Sequence, residues 1–370
     1  MRILIAGGGI AGLSLARALE LRGIAADLVE RQPGAPTGGA GLYLPGNAAR
    51  AIDQLGLRAE VAATAVPIGK QQILDSRGRS LNVIHTADIW AECGPCLALP
   101  RNDLQAILAA SLKLTKVARP KSVAGLSQSA AGCDVAFDDG STARYDLVVG
   151  ADGIKSTLRK MLFTDEPPAY LGMVCWRFIT QNSTGIDGWT AMLGKGRSML
   201  AEPVSPTEVY VYADLAVDAE STGKYSAATP LPPLFSDFGA PVFPLIERLP
   251  EGTEVHFGRV EQVQIPEWVN GRVVLVGDAA HASSPNMASG AGMAMEDALV
   301  LAEAIAGGGD LDAALQAYAR RRRPRLDWVQ TQSKIRDKMR YLPGPARHAV
   351  LKLFGTALYK RSFTPLLKPI

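Results

Sequence analysis

Long apolar runs are missing from this chain. Glycine, alanine and charged residues interrupt every hydrophobic segment before it reaches the length of a membrane span. No signal peptide is expected, because Met1 to Ala6 already reads as folded core. Cysteine is scarce, 4 in 370 residues, which suggests a reducing compartment and hence the cytoplasm. Neither sign of charge dominates: 39 basic and 36 acidic residues leave a net +3, so no nucleic-acid partner is expected. Internal repeats and low-complexity segments are absent. Histidine is limited to His85, His256, His281 and His348, and no metal site is expected. With 47% hydrophobic and 20% charged residues the chain is globular, and at 370 residues it suits two domains rather than one core.

The densest signal lies between Val273 and Ala298. Val273 to Val276 is an apolar, largely β-branched run that reads as a buried strand ending at Gly277-Asp278. Small residues, proline and glycine follow from Ala279 to Gly292. Met293 to Ala306 then reads as a helix stopped by Gly307-Gly308-Gly309. Backbone amides in such a loop can approach a flat ligand, and the helix behind it points its positive end at that ligand. Asp278 can accept hydrogen bonds from ligand hydroxyls. The stretch predicts a binding loop for something large, planar and electron-accepting.

The amino-terminal segment is a βαβ unit. Ile3 to Ala6 is a buried parallel strand, and Gly7-Gly8-Gly9-Ile10-Ala11-Gly12 fits G-x-G-x-x-G. Leu13 to Arg22 is a helix closed by Gly23, and Ala26 to Val29 is a second strand ended by Glu30. Glycines at 7, 9 and 12 permit a tight turn and let a pyrophosphate rest on the helix N-terminus. Glu30, 18 residues past Gly12, can accept both hydroxyls of an adenosine ribose. An acid there favours FAD or NAD over NADP.

Further along, Gly38 to Gly41 is a flexible approach to the ligand, and Asn47 to Leu55 is an amphipathic helix ended by Gly56. Gln71 to Ser76 and Ser80 to Ile84 alternate around Arg77-Gly78, a hairpin that marks an excursion into a second domain. Cys93-Gly94-Pro95-Cys96 has the spelling of a redox motif. It runs into an extended piece rather than a helix, so it reads as a turn entering the next strand. Arg101 stands at a strand-to-helix junction where it can hold a pyrophosphate or flavin edge, ahead of a helix from Asn102 to Leu112 capped by Asn102. Val135 to Tyr145 is another hairpin. Asp146 to Val149 is a buried strand that ends in Gly150-Ala151-Asp152-Gly153-Ile154-Lys155-Ser156, with Leu158-Arg159 on the following helix.

From Tyr170 to about Gln264 alternating stretches predict a mostly antiparallel sheet. Trp176, Trp189, Met192, Met199, Tyr210 and Tyr212 are its candidates for an apolar substrate pocket. Near the carboxyl terminus, Val350, Leu353, Phe354, Ala357 and Leu358 recur at helical spacing among Lys352, Lys360, Arg361 and Lys368. Such a basic amphipathic tail either packs on its own protein or touches a membrane surface.

Three motifs thus stand in a fixed order: GGGIAG with Glu30, DGIKS with Arg159, and GDAAH followed by PNMASGAGMAMEDA. From Met1 to about Arg325 the chain resembles the single-component FAD-dependent aromatic monooxygenases, the p-hydroxybenzoate and salicylate hydroxylase family. The resemblance implies an α/β protein: a glutathione-reductase-like Rossmann FAD domain (1–70, 101–165 and 266–325), an inserted, mostly antiparallel substrate sheet (71–100 and 166–265), and a C-terminal helical segment (326–370). FAD would be met by Gly7, Gly9, Ala11, Gly12, Glu30, Arg31, Gly41, Leu42, Arg101 and Asp278. Pro285, Ala288, Ser289, Gly290, Ala291 and Gly292 would lie against the isoalloxazine. Asp152 and Arg159 match a motif linked to both FAD and the nicotinamide cofactor. His281 reads as structural.

The implied reaction takes hydride from NADH or NADPH and adds O2 at the flavin C4a. The resulting hydroperoxide then hydroxylates an electron-rich aromatic or phenol-like small molecule. A base for the substrate cannot be named from the sequence; Tyr210, Tyr212 and Pro285 are the weak catalytic candidates. A flavin-dependent halogenase would carry W-x-W-x-I-P, and no two of Trp90, Trp176, Trp189, Trp268 and Trp328 stand one residue apart. A reductase that saturates a double bond without inserting oxygen, and a flavin-binding regulator that turns nothing over, are the other readings.

Overall fold

The computed structural model describes residues 1–34, 40–129 and 132–370; Gly38 and Gly39 of the expected approach segment lie outside these described residues. The buried apolar runs assemble a six-stranded sheet in the order Val269–Asn270, Val273–Leu275, Leu147–Gly150, Ile3–Ala6, Asp27–Val29, Val117–Ala118. All neighbours are parallel except the edge pair Val269–Asn270 and Val273–Leu275. Ile3–Ala6 is buried along its whole length, which is why it reads as a continuous apolar run rather than an alternating one. Helices Ile10–Glu20 and Gly290–Ala306 pack against each other. The carboxyl ends of four strands therefore deliver Gly7, Glu30, Asp152 and Asp278 to one edge of the sheet, the edge where open α/β sheets bind ligands.

Helix boundaries differ from the sequence reading, and the first helix, Ile10–Glu20, begins three residues before the expected Leu13. Gly290–Ala306 begins three residues before Met293, so the expected loop is shorter and holds a helical turn, Asp278–His281. Arg101–Ala110 begins one residue before Asn102, with Pro100 in the cap position and no side-chain cap, so Asn102 is inside the helix. Proline just ahead of a first turn pre-sets the backbone without a donor to satisfy.

A second, seven-stranded sheet runs His256–Gln262, Ala169–Gln181, Glu208–Ala216, Arg197–Pro203, Trp189–Leu193, Lys70–Asp75, Ser80–His85. It is antiparallel except between Trp189–Leu193 and Lys70–Asp75. The 70–85 hairpin joins this sheet. Leu97–Pro100, also expected in the second domain, instead pairs antiparallel with Gly41–Leu44. That ribbon bridges the two sheets. One face of the large sheet carries its own core: Val174, Trp176, Phe178, Met192, Met199 and Val211 pack on Phe235, Phe238 and Leu245. The opposite face carries Arg177, Glu202, Tyr210 and Tyr212, by strand alternation.

The expected boundary at 325/326 falls inside one helix, Leu311–Met339. Gly344–Leu367 packs on the protein through Leu351, Gly355, Tyr359, Phe363 and Leu366. The stripe singled out in the sequence faces the other way, with Leu353 73% and Phe354 57% exposed. Gly355 decides this orientation, since a Cβ there would come within 2.8 Å of Asn82 side-chain atoms. The end of the helix is fixed by arginines: Arg50 donates to the carbonyls of Leu366, Leu367 and Lys368, and Arg325 to those of Pro365, Leu366 and Lys368. No helix among the described residues is long and apolar enough to cross a membrane.

A buried charge cluster joins the helices to the sheet. Arg322 Nε donates to Asp297 Oδ1 at 2.8 Å and its Nη1 to Glu296 Oε2 at 2.7 Å, and all three side chains are at most 1% exposed. Arg325 and Asn47 both donate to Glu296 Oε1, at 2.9 and 3.0 Å. Asp297 Oδ2 accepts from the Gly277 amide at 3.0 Å and lies 2.5 Å from His281 Nε2. Burial pushes the Asp297 carboxyl up, but His281 and Arg322 together hold it below its ordinary value. Removing Arg322 would strand two buried carboxylates. Arg322→Met should therefore cost about 3–5 kcal/mol of stability, read as a lower urea midpoint at unchanged slope, while Arg321→Met at the surface should cost almost nothing.

Candidate active site

Three turns meet at the sheet edge, and glycines make each contact possible. Gly7 has φ +117°, and a Cβ on it would sit 2.2 Å from the Ala151 carbonyl oxygen. A Cβ on Gly12 would sit 1.9 Å from the Gly7 oxygen, so this glycine closes the helix onto the strand. Gly277, at φ +59°, would bring a Cβ to 2.9 Å from that of Ala11. Arg159 completes the set: 4% exposed, it donates to the Ala279 and Ile154 carbonyls at 3.0 and 2.6 Å. The GGGIAG, DGIKS and GDAAH segments are thus in mutual contact.

Other glycines face open space. A Cβ on Gly9 or on Gly290 would meet nothing within 4 Å. These residues begin the two long helices Ile10–Glu20 and Gly290–Ala306, neither of which has a side-chain cap, so their first amides are free for an anion or a ring edge. Between Val273 and Ala298 the exposed residues are Asp278, Pro285 and Gly290. Glu30 lies against the first turn, where its carboxylate accepts from the Gly8 and Gln32 amides at 2.7 and 2.8 Å; Arg31 beside it is exposed. Ala288 holds φ +47° and sets the bend ahead of Gly290.

Several expected ligand residues turn out to carry structure as well. Asp152 Oδ2 accepts from the Thr157 and Leu158 amides at 2.8 and 3.2 Å, capping the helix Thr157–Leu162, while its buried Oδ1 has no partner among the described residues. Ser289 donates its hydroxyl to the Met287 carbonyl. Gly292 lets Gly290–Ala306 pack on Ala48, 3.0 Å from where its Cβ would be. Ala291 is half-buried in the first turn of that helix. His281 is buried between Asp297 and the Trp268 ring, a structural position.

The bridging ribbon closes the cleft. Gly41 and Leu42 pair with Pro100 and Leu99, and the Arg101 amide donates to the Ala40 carbonyl at 2.8 Å. Arg101 is exposed at the start of its helix. A Cβ on Gly41 would sit 2.4 Å from the Tyr210 Cβ, so this glycine lets the ribbon touch the large sheet.

The six residues proposed for the substrate pocket divide. Tyr210, Tyr212 and Trp189 stand on the face turned to the ribbon and pack against the first domain's core. Trp176, Met192 and Met199 are fully buried in the separate core on the opposite face and do not join them. Trp176 also donates its indole N–H to the Ser226 carbonyl. The reason is the period of two: on adjacent strands Trp176 pairs with Ala213 and Ile179 with Tyr210, so 176 and 210 point to opposite faces. Burial pushes the Tyr210 phenol well up, so it stays protonated.

Sequence reasoning missed Glu202. It is fully buried, directly opposite Tyr210 in register, and neither carboxyl oxygen has a partner among the described residues. Burial alone, with no charge to offset it, pushes its carboxyl up to about 8. The signal available in the sequence was a lone acid inside the apolar alternation Met199-Leu200-Ala201-Glu202. The cysteines of the C-G-P-C segment are free and buried, and burial pushes the Cys96 thiol up to about 11, the opposite of a reactive pair.

Comparison with known proteins gives this cleft its family. A family described as FAD binding domain matches residues 1–178 and 249–333. The chain belongs to the FAD-dependent aromatic monooxygenases. It is 35% identical over 321 residues, 86% of this chain and 84% of the relative, to aurachin C monooxygenase/isomerase of Stigmatella aurantiaca. It is 30% identical to 2-heptyl-3-hydroxy-4(1H)-quinolone synthase of Pseudomonas aeruginosa over 98% of both chains. The solved structure of Klebsiella pneumoniae HpxO complexed with FAD and uric acid superposes with a TM-score of 0.87 at 25% identity, over 100% of this chain and 97% of that one. FAD is the cofactor, and the open faces at Gly9 and Gly290, the exposed Asp278 and the unpartnered Asp152 oxygen fit it.

Two outcomes check this geometry. Gly9→Ala should keep the melting temperature of the ligand-free protein and lose bound FAD, whereas Gly12→Ala should lose both; retained flavin in Gly9→Ala would remove the pyrophosphate from that turn. Glu202 binds its proton more tightly folded than unfolded. Its stability contribution is therefore full below the ordinary value of 4.5 and is lost as pH rises to about 8. Urea melts of the ligand-free protein should show the wild type losing stability relative to Glu202→Gln across that window; a constant difference would mean that the carboxyl is not neutral.

Proposed function

We propose that this FAD-dependent monooxygenase takes hydride from NADH or NADPH and oxygen from O2, and hydroxylates an electron-rich aromatic or phenol-like small molecule. The observation that carries this reading is the meeting of three motif turns below two uncapped helix starts, opposite a sheet face lined by Tyr210, Tyr212 and Glu202. FAD when bound supplies the chemistry: it accepts the hydride and activates the oxygen. The chain's own residues then have defined work. Gly9 and the amides of Ile10–Glu20 would receive the pyrophosphate, Glu30 the adenosine ribose, and Asp278 the ribityl chain or the pyrophosphate. Pro285 and the Ala288 to Gly292 backbone would hold the ring, and the positive end of Gly290–Ala306 would favour negative charge there. Arg101 would hold a pyrophosphate or flavin edge. Arg159 ties the second turn to the third through the Ala279 carbonyl and Asp152 caps the helix behind it, and a transient nicotinamide cofactor would dock against this motif.

The names of the relatives support a small aromatic substrate. They include a quinolone synthase, an FAD-dependent urate hydroxylase of Klebsiella pneumoniae and 3-hydroxybenzoate 6-hydroxylase 1 of Aquipseudomonas alcaligenes. Four free, buried thiols fit a reducing cytoplasm.

The deciding measurement is NADH and NADPH oxidation by the flavin-loaded protein in air, against phenols, hydroxypyridines and hydroxyquinolines. Peroxide and incorporation of isotopically labelled O2 are followed in parallel. A substrate should accelerate oxidation, suppress peroxide and leave one labelled oxygen in the product. Oxidation that proceeds equally without O2 on an olefinic acceptor would replace the hydroxylase by a reductase.

A further inference from the structure

The helix Gly344–Leu367 buries one side and leaves the other uncovered. Leu351, Gly355, Tyr359, Phe363 and Leu366 face the protein. At about 3.6 residues per turn, Ala346, Val350, Leu353, Phe354 and Ala357 fall in one outer arc of roughly 100°. Val350 is half-buried and the other four are exposed. Six of the eleven exposed large apolar side chains among the described residues lie between Ile335 and Leu358, so uncovered apolar surface is concentrated here. The helix does not need this surface for its own packing, because the inner face and the arginine bonds to its last carbonyls already hold it. An apolar stripe left in water calls for a partner.

Charge says which partner. From Lys338 to Ile370 the chain has no acidic residue. Lys338, Lys352, Lys360, Arg361 and Lys368 are exposed, and none of them forms an ion pair among the described residues. The cations that turn inward are occupied: Arg340 pairs with Asp214, and Arg347 donates to the Gly194 carbonyl. By helical spacing Lys360 lies two turns beyond Leu353, and Arg361 one turn beyond Ala357, so unpaired cations border the apolar stripe. Their long stems reach past it while the charged ends stay in water.

We propose that the outer face of Gly344–Leu367 docks this protein on an anionic membrane surface. The leucine and phenylalanine enter the boundary between headgroups and acyl chains, and the lysines and arginine meet the phosphates. The helix lies on the bilayer, since none among the described residues is long and apolar enough to cross it. A second copy of this chain fits the stripe worse, because a two-fold axis would set the same cations against one another. Arg325 bonds both the end of this helix and Glu296 on Gly290–Ala306, so docking also fixes how the cofactor domain stands on the surface. The proposal goes beyond the hydroxylase reading and does not depend on it.

The test is co-sedimentation of the FAD-loaded full chain with vesicles of phosphatidylcholine alone and of phosphatidylcholine mixed with phosphatidylglycerol. Each cation near such a surface is worth about fivefold, so the anionic vesicles should bind at least about tenfold more tightly, and less so as salt is raised. Leu353→Glu/Phe354→Glu should lose about tenfold or more of that binding. Lys352→Gln/Lys360→Gln/Arg361→Gln should lose most of the preference for the anionic vesicles. Both variants should keep the wild-type melting temperature and flavin content, because the substituted side chains point to solvent. Leu114→Glu, at an exposed apolar side chain elsewhere, should bind as wild type does. A smaller preference, full binding by the apolar variant or an equal loss in Leu114→Glu would each overturn the proposal. So would loss of flavin or of melting temperature in both variants, which would give these side chains to the fold. Sedimentation velocity completes the test: a wild-type dimer that Leu353→Glu/Phe354→Glu turns into a monomer would give the stripe to a second copy instead.

Discussion

The Arg322 guanidinium, sealed between Glu296 and Asp297, is the constraint on which the rest of the cleft depends. Asp297 is shared: one oxygen takes Arg322, and the other takes the Gly277 amide and His281. The start of the GDAAH turn is therefore tied to the body of Gly290–Ala306 by a single carboxylate. Glu296, one residue earlier, binds Asn47 of the helix Gly46–Gln54 and Arg325 of the long helix. Two adjacent acids on one helix thus fix three other elements at once. Desolvating this many charges offers little net stability, but it leaves few alternative arrangements of the GDAAH turn.

From that hub the glycines follow. Each motif turn approaches its neighbour more closely than a Cβ would permit, at Gly7 against Ala151, Gly12 against Gly7 and Gly277 against Ala11. These glycines are required by protein packing, not by the ligand. The glycines proposed to face the ligand are a different set, Gly9 and Gly290, whose missing side chains leave open surface rather than relieve a clash. A glycine-rich fingerprint mixes both kinds, and only the structure separates them.

Much of this was legible in the sequence. The three motif turns were legible because each motif is local: strand, turn and helix start lie within a few residues. The βαβ opening, the hairpins around Gly78 and Gly140 and the closing glycines at 23 and 56 were readable for the same reason, and all four adopt positive φ. What was not readable depends on distant partners. The pairing of Leu97–Pro100 with Gly41–Leu44 is set across half a domain, and the C-terminal helix turned its apolar stripe outward because Gly355 meets Asn82. Glu202 escaped notice because a single acid in a strand announces nothing until its lack of a partner is seen.

The large sheet shows how one fold can keep its stability while its chemistry changes. Side chains alternate along each strand, so every second residue belongs to one task. Trp176, Phe178, Met192, Met199 and Val211 serve the outer core, packed against Phe235 and Phe238. Arg177, Glu202, Tyr210 and Tyr212, their immediate neighbours in sequence or register, serve the inner face. A substitution at 202 leaves the packing at 199 and 201 on the other face untouched. A carboxyl that weakens the sheet is tolerable there because the stability it costs is supplied on the other side of the same strands. Trp176, Met192 and Met199, which looked like pocket residues in the sequence, are thus what allows the opposite face, one residue away, to be polar.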